Sequence, residues 1–288
     1  MNGFPDPQGQ RSFLPSFSSS SLLPWTIRTP RFTFVSDGNP LRRLLIVSKK
    51  WLLVEVLMVH DPPPFLGRIG MDTKPENRFR GRTVDDVMFQ KWNDLLRAWA
   101  VDPIQARRAF DDFSNHYSER GRFYHTLDHV NAVLDTVESL GPSTRNLSAV
   151  KLAVWLHDVI YDSKASDNEE RSAEFSKRFC HDLSISEGPV VASLILTTKT
   201  HDAGADPDAK VLLDADLAIL GASETVYQEY AQQIRQEYVW VLEQDYRAGR
   251  QQVLTKFLTR PRIFHFLSHL EEPARRNISA EIAQLAGE

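Results

Sequence analysis

A single cysteine, Cys180, in 288 residues excludes an intramolecular disulfide and any zinc site built from several thiolates. A metal held by this chain must therefore use histidine and carboxylate. Long uncharged apolar runs are also absent. The best candidate, residues 44–59, is interrupted by Lys49, Lys50 and Glu55, so no transmembrane helix is expected. No excess of one charge stands out either: 34 Lys and Arg face 38 Asp and Glu, a net charge of -4. That balance gives no electrostatic reason to expect a nucleic-acid polymer as partner. Strand-type alternation of useful length is missing after residue 80, as is any internal repeat. With no export or membrane signal in the chain, a cytoplasmic location is expected.

Tyrosine is missing from residues 1–80, which hold ten of the sixteen prolines and the cluster Ser18 to Ser21. Such a stretch cannot offset its ordering entropy by burial, so 1–80 is expected to be a low-order extension. Within it, residues 44–59 read as a short helix or strand. Two origins fit: a transit peptide, given seven Lys or Arg and two Asp in the first 50 residues, or an upstream extension of the reading frame with the working protein starting near Met71. Pro24, Pro30 and Pro40 break any long amphipathic helix and favour the second.

From Thr83 the periodicity turns helical and stays so, predicting an all-α domain over 83–288. Thr83 with Asp86 resembles a capping box, and Val84, Val87, Met88, Trp92, Leu95, Leu96 and Trp99 recur at helical spacing. Asp102-Pro103 reads as an N-cap followed by proline at the first helical position, with Ile104, Ala109, Phe110 and Phe113 as the apolar face. Asn146 is expected to cap a helix that carries His157 and Asp158, and Asp167 with Glu170 to form another capping box. Val226, Tyr230, Ile234 and Tyr238 mark one face of a later helix, and Arg247 to Arg250 and Arg260 to Arg262 read as solvated charge.

Ala153-Val-Trp-Leu-His-Asp-Val-Ile-Tyr161 places the pair His157-Asp158 inside an apolar run. Burying an imidazole beside a carboxylate costs several kcal/mol (about 2–7 for even a neutral polar group) unless they are hydrogen-bonded, charge-paired or metal-bound. Upstream, His125 and His129 lie four apart, which on a helix sets both on one face. Downstream, Asp214 and Asp216 sit in a second apolar run, Val211 to Leu220, closed by Gly221. Two residues apart is about 200° around a helix, so only one acid can face a common centre and the other must be a cap or charge partner.

The order His129, His157-Asp158, Asp216 resembles the HD superfamily of metal-dependent phosphohydrolases, over roughly residues 83–288. Tyr124-His-Thr-Leu-Asp-His129-Val, Leu156-His-Asp-Val-Ile-Tyr161, Thr198-Lys-Thr-His201 and Leu213-Asp-Ala-Asp-Leu-Ala-Ile-Leu-Gly221 are similar to a bacterial group of predicted HD-type hydrolases. The resemblance implies an HD-like helical bundle with His129, His157, Asp158 and Asp216 as metal ligands. The resemblance implies Asp216 rather than Asp214, because in related sequences the ligand is the acid directly preceding the apolar helical run. The Tyr-His-x-x-x-His spacing is similar to that of cyclic-nucleotide phosphodiesterases, which implies His125 as proton donor and His129 as ligand, with the reverse assignment open.

The chemistry agrees with those roles. Phosphoester hydrolysis needs a nucleophile formed near neutral pH, charge stabilisation on the phosphoryl oxygens and a proton for the leaving oxygen. Two imidazoles and two carboxylates suit Mn, Fe, Co or Zn rather than Ca. Arg122, Lys199 and His201 are candidate substrate-binding groups, and His201 is also placed to assist a second cation. The expected partner is a small phosphorylated substrate, with a nucleotide among the candidates. Two other readings compete: a regulatory or ligand-binding module that keeps its metal only to hold its helices together, and a di-iron oxygenase on the same scaffold. The oxygenase wants more ligands than the four named here.

Overall fold

Capping chemistry sets several of the helix starts. Asp102 accepts from the backbone N–H groups of Ile104 and Gln105, with Pro103 at the first helical position. Asn146 accepts from Ala149 N–H, and Asp206 caps the helix that Pro207 opens. The computed structural model describes residues 84–287, and the readings made for 1–80, as well as Thr83, lie outside them. The described residues form ten α-helices with short 3₁₀ turns and no strand: α1 (Val84–Leu96), α2 (Pro103–Tyr117), α3 (Leu127–Ser139), α4 (Leu147–Leu156), α5 (Asn168–Asp182), α6 (Gly188–Thr200), α7 (Pro207–Leu217), α8 (Glu224–Glu237), α9 (Glu243–Leu258) and α10 (Glu271–Ala286). The expected all-α class therefore holds. None of these helices is long and apolar enough to cross a membrane.

Two apolar clusters divide the helices. The first joins α1 to α7 and centres on aromatic edges: Trp92 lies 4.8 Å from Phe113 and 5.4 Å from Trp155, ring centre to ring centre. Such edge-to-face pairs are worth about 0.5–1.5 kcal/mol beyond the area they bury. Tyr117 Oη donates to the carbonyl of Trp155 at 2.8 Å, fixing the last turn of α4 just before His157. The second cluster begins at Leu217 and Leu220 and runs through α8, α9 and α10. Since α7 starts in the first cluster and ends in the second, Asp216 falls at their junction. At Gly221 a Cβ would lie 2.6 Å from Leu270 Cβ, so only glycine allows the close approach to the start of α10.

Several local expectations are corrected. Ile104, Val87 and Val226 are exposed; the buried face of α2 is Ala106, Phe110, Phe113 and Tyr117, and that of α8 is Tyr227, Tyr230, Ile234 and Glu237. Asp167 makes no side-chain cap bond; Asn168 instead bridges the backbone of Asp162 in both directions. The Arg247 to Arg250 stretch is not uniformly solvated. Arg250 is buried and pairs with Glu281 through two bonds of 2.6 and 3.0 Å, with Tyr227 Oη donating to the same carboxylate. A forked guanidinium–carboxylate pair is the arrangement in which buried charges satisfy each other.

Candidate metal centre

α4 ends at Leu156, with His157 as its C-cap, so the His-Asp pair does not lie inside a helix as its apolar surroundings suggested. Beyond it the chain turns, and carbonyls freed at a helix end need donors. Arg122 supplies them, giving Nη1 to the carbonyls of His125 (3.2 Å) and Asp158 (2.6 Å) and Nη2 to that of Val159 (2.9 Å). Its side chain is 2% exposed and lies between the rings of Tyr117 and Tyr161. Arg122 is thus a brace for the site rather than the substrate ligand expected from its position. Lys199 is engaged as well, donating to the carbonyl of Ser166 and pairing with Glu170.

Four side chains from three parts of the fold gather around the facing His129 and His157 rings. His129 Nε2, from the first turn of α3, lies 3.2 Å from His157 Nε2. Asp158 Oδ2 is 3.0 Å from His157 Nε2 and 3.8 Å from His129 Nε2. Asp216 Oδ1, near the end of α7, is 3.3 Å from His129 Nε2 and 3.6 Å from His157 Nε2. The ligand atoms of His129, His157 and Asp158 lie within 4.8 Å of one another, so this buried group could hold a metal ion.

The donor set fits a cation. His157 Nδ1–H donates to the carbonyl of Val154 at 2.8 Å, which directs the lone pair of Nε2 into the cluster. Asp216 Oδ2 faces His201 Nε2 at 3.4 Å, which orients the carboxylate and leaves Oδ1 to the histidine pair. Two imidazole nitrogens 3.2 Å apart cannot both carry protons comfortably, and the proton settles on one of them. Burial disfavours the charged form of His157, but the Asp158 and Asp216 carboxylates override it and hold the ring up at about 10. His129 is lowered, mainly by burial, with the His157 charge adding to the effect. Burial also pushes Asp216 upward, yet the His129, His157 and His201 rings keep its carboxyl well below the usual range.

His125 reaches the rim by a different route from the one its spacing implied. It precedes α3, whose N-cap is Thr126, so no shared helical face joins it to His129. Glu237, at the C-terminal end of α8, holds it instead. Glu237 Oε1 accepts from the backbone N–H groups of Phe123, Tyr124 and His125 at 2.8–3.0 Å. Oε2 accepts from His125 Nδ1 at 2.7 Å and from Tyr161 Oη at 2.8 Å. The His125 ring stacks on Tyr161 at 4.1 Å, and its Nε2 faces Asp158 Oδ2 at 4.0 Å. Sequence reasoning passed over Glu237. The available signal was a carboxylate three residues beyond Ile234 on a face made of Tyr230, Ile234 and Tyr238.

Asp214 and Asp216 divide as the 200° argument required. Asp214 accepts from the N–H groups of His265, Phe266 and Leu267, anchoring the loop before α10. Asp214→Asn is expected to destabilise the fold by on the order of 2 kcal/mol, the cost of mismatched buried donors, with metal content kept. Asp216→Asn is expected to lose the metal with little change in stability. Urea unfolding with metal analysis checks the pair, and metal loss in the Asp214 variant alone would reverse the assignment.

Two cavities flank the cluster. A narrow one of about 50 Å³ is lined by His125, His201, Asp216, Tyr124 and Tyr230. A wider one of about 330 Å³ reaches His129 and Asp216 from the side of Thr126, Asp128 and Gln233. Comparison of the chain with protein-family models, curated proteins and solved structures found no match.

Proposed function

We propose that this chain is a metal-dependent phosphohydrolase acting on a small phosphorylated molecule, of the HD type that its motif order resembles. The observation that carries the reading is the convergence of His129, His157, Asp158 and Asp216 on one buried point, with the braced His125 beside it. These four residues would hold a divalent transition metal, with Mn, Fe, Co and Zn suited to the nitrogen and oxygen donors. When bound, such a metal supplies Lewis acidity and a nucleophile near neutral pH. His125 turns Nδ1 to Glu237 and Nε2 toward Asp158 Oδ2, where it would serve as the proton donor to the leaving oxygen. Tyr161 and Glu237 hold that ring in one orientation, so the proton is delivered from a fixed place.

Metal binding should be coupled to proton release. His157 is held protonated through the neutral range and must lose that proton to become a ligand. The expected result is about one proton released per metal bound at pH 7.5, with affinity rising as pH increases. Calorimetry in buffers of different ionisation enthalpy measures it, and pH-independent binding would count against His157 as a ligand.

The burial of His129, His157 and Asp158 favours a second reading, a metal site that only ties the helices together. It predicts that chelation lowers the melting temperature while every phosphoester is left intact. The test is a screen of phosphomonoesters, phosphodiesters and nucleotides with the metal-loaded protein, run beside Asp158→Asn. Metal-dependent turnover lost in the variant supports the phosphohydrolase; a blank screen with a full complement of metal supports the structural module.

A further inference from the structure

Next to His201, the end of α9 and the chain that follows it line a pocket of about 520 Å³. Lys256, Arg260, Arg262 and His265 line it, and Asp202 is its one acid. His201, Val253 and Phe257 line both this pocket and the narrow cavity at the metal centre, so the two spaces adjoin.

Its cations are used differently from those elsewhere on α9. Arg247 is paired with Glu243 and Arg250 with Glu281. Arg260 donates to the carbonyls of His201 and Thr200 at 2.9 and 3.1 Å, which locks the pocket wall to the end of α6 that carries His201. Lys256 and Arg262 are exposed and form no ion pair among the described residues. The wall bearing His265 is fixed from beneath by Asp214. The pocket is thus an open concavity, anchored at Arg260 and His265, with two cations outside any ion pair among the described residues and adjoining the cavity at the metal centre. A solvated face needs neither the concavity nor the anchoring.

We infer that this pocket takes a second anionic group, phosphate or carboxylate, of the same substrate whose phosphoryl group sits at the metal centre. The inference rests on the phosphohydrolase reading and narrows it to doubly anionic phosphoesters. The volumes agree with the division. The narrow cavity of about 50 Å³ has room for about four waters, and so for a phosphoryl group, while the pocket has room for the remainder of a small metabolite. Lys256 and Arg262 meet an anion with charge-assisted hydrogen bonds, and one acid against three cations leaves the pocket positive.

The test uses probes with P–C bonds, which a phosphohydrolase cannot cleave: butylphosphonate, butane-1,4-bisphosphonate and hexane-1,6-bisphosphonate, titrated into the manganese-loaded full chain by calorimetry. At least one bisphosphonate is expected to bind about tenfold tighter than butylphosphonate. In the double variant Lys256→Ala/Arg262→Ala that advantage is expected to fall below about threefold, with butylphosphonate binding unchanged. No advantage in the wild type, or one the double variant keeps, overturns the pocket assignment. Asp158→Ala separates this failure from that of the underlying reading. Butylphosphonate binding that needs neither metal nor Asp158 strikes the phosphohydrolase itself. A bisphosphonate advantage that persists in Asp158→Ala shows an anion site separate from the centre, which also overturns the shared-substrate inference.

Discussion

Replacing Asp158 with alanine is expected to strip the metal from the protein and lower phosphoester turnover by on the order of 10³-fold, about 4 kcal/mol of transition-state stabilisation. Asp158 Oδ2 faces the Nε2 atoms of His157, His129 and His125 at 3.0, 3.8 and 4.0 Å, so its loss removes a ligand and the acid that keeps His157 charged. The fold should survive. The backbone carbonyl of Asp158, not its side chain, receives Arg122, and that bond is indifferent to the substitution. Asp158→Asn, which keeps the shape and removes the charge, should lose metal nearly as fully. Circular dichroism with metal analysis and single-turnover assays reads all three quantities. Turnover within about threefold of wild type would leave Asp158 no catalytic role.

Glu237→Ala is the substitution expected to cost most in stability, about 3–5 kcal/mol. It leaves three backbone N–H groups, the His125 ring and the Tyr161 hydroxyl without their acceptor. The pH dependence has a definite sign. Burial pulls the Glu237 carboxyl upward, but the His125 ring and the N–H donors of His125 and Phe123 hold it at about 2, below its ordinary 4.5. A depressed carboxyl stabilises the fold above its unfolded pKa and ceases to do so as pH falls through the folded one. The contribution, on the order of 3 kcal/mol, should be complete above pH 4.5 and gone near pH 2. The gap in unfolding free energy between wild type and Glu237→Gln is therefore expected to close across that window. A gap independent of pH would mean that Glu237 acts through shape alone.

The features that could be read in advance were those carried by neighbouring residues. Asp102-Pro103 and Asn146 set their helices through bonds that span two or three residues. The buried His157-Asp158 pair announced itself by polarity within an apolar run, and the 200° offset between Asp214 and Asp216 required them to do different work. What stayed hidden depends on contacts far apart in the chain. Glu237 meets His125 across 112 residues, and Arg250 meets Glu281 across 31; each alone resembles ordinary surface charge. Arg122 looked like a ligand for phosphate because the need for donors at the 157–159 turn arises only once α4 stops at Leu156. The shared helical face for His125 and His129 failed for a related reason, because α3 starts after His125.

The central claim is that His129, His157, Asp158 and Asp216 hold one catalytic metal. Elemental analysis of the protein purified without added metal, beside His157→Ala and Asp158→Ala, tests it most directly. The expected result is about one transition metal per chain in the wild type, lost in both variants. A wild-type protein that stays metal-free after exposure to manganese or zinc would mean that the four side chains satisfy only one another, and the phosphohydrolase reading would fall.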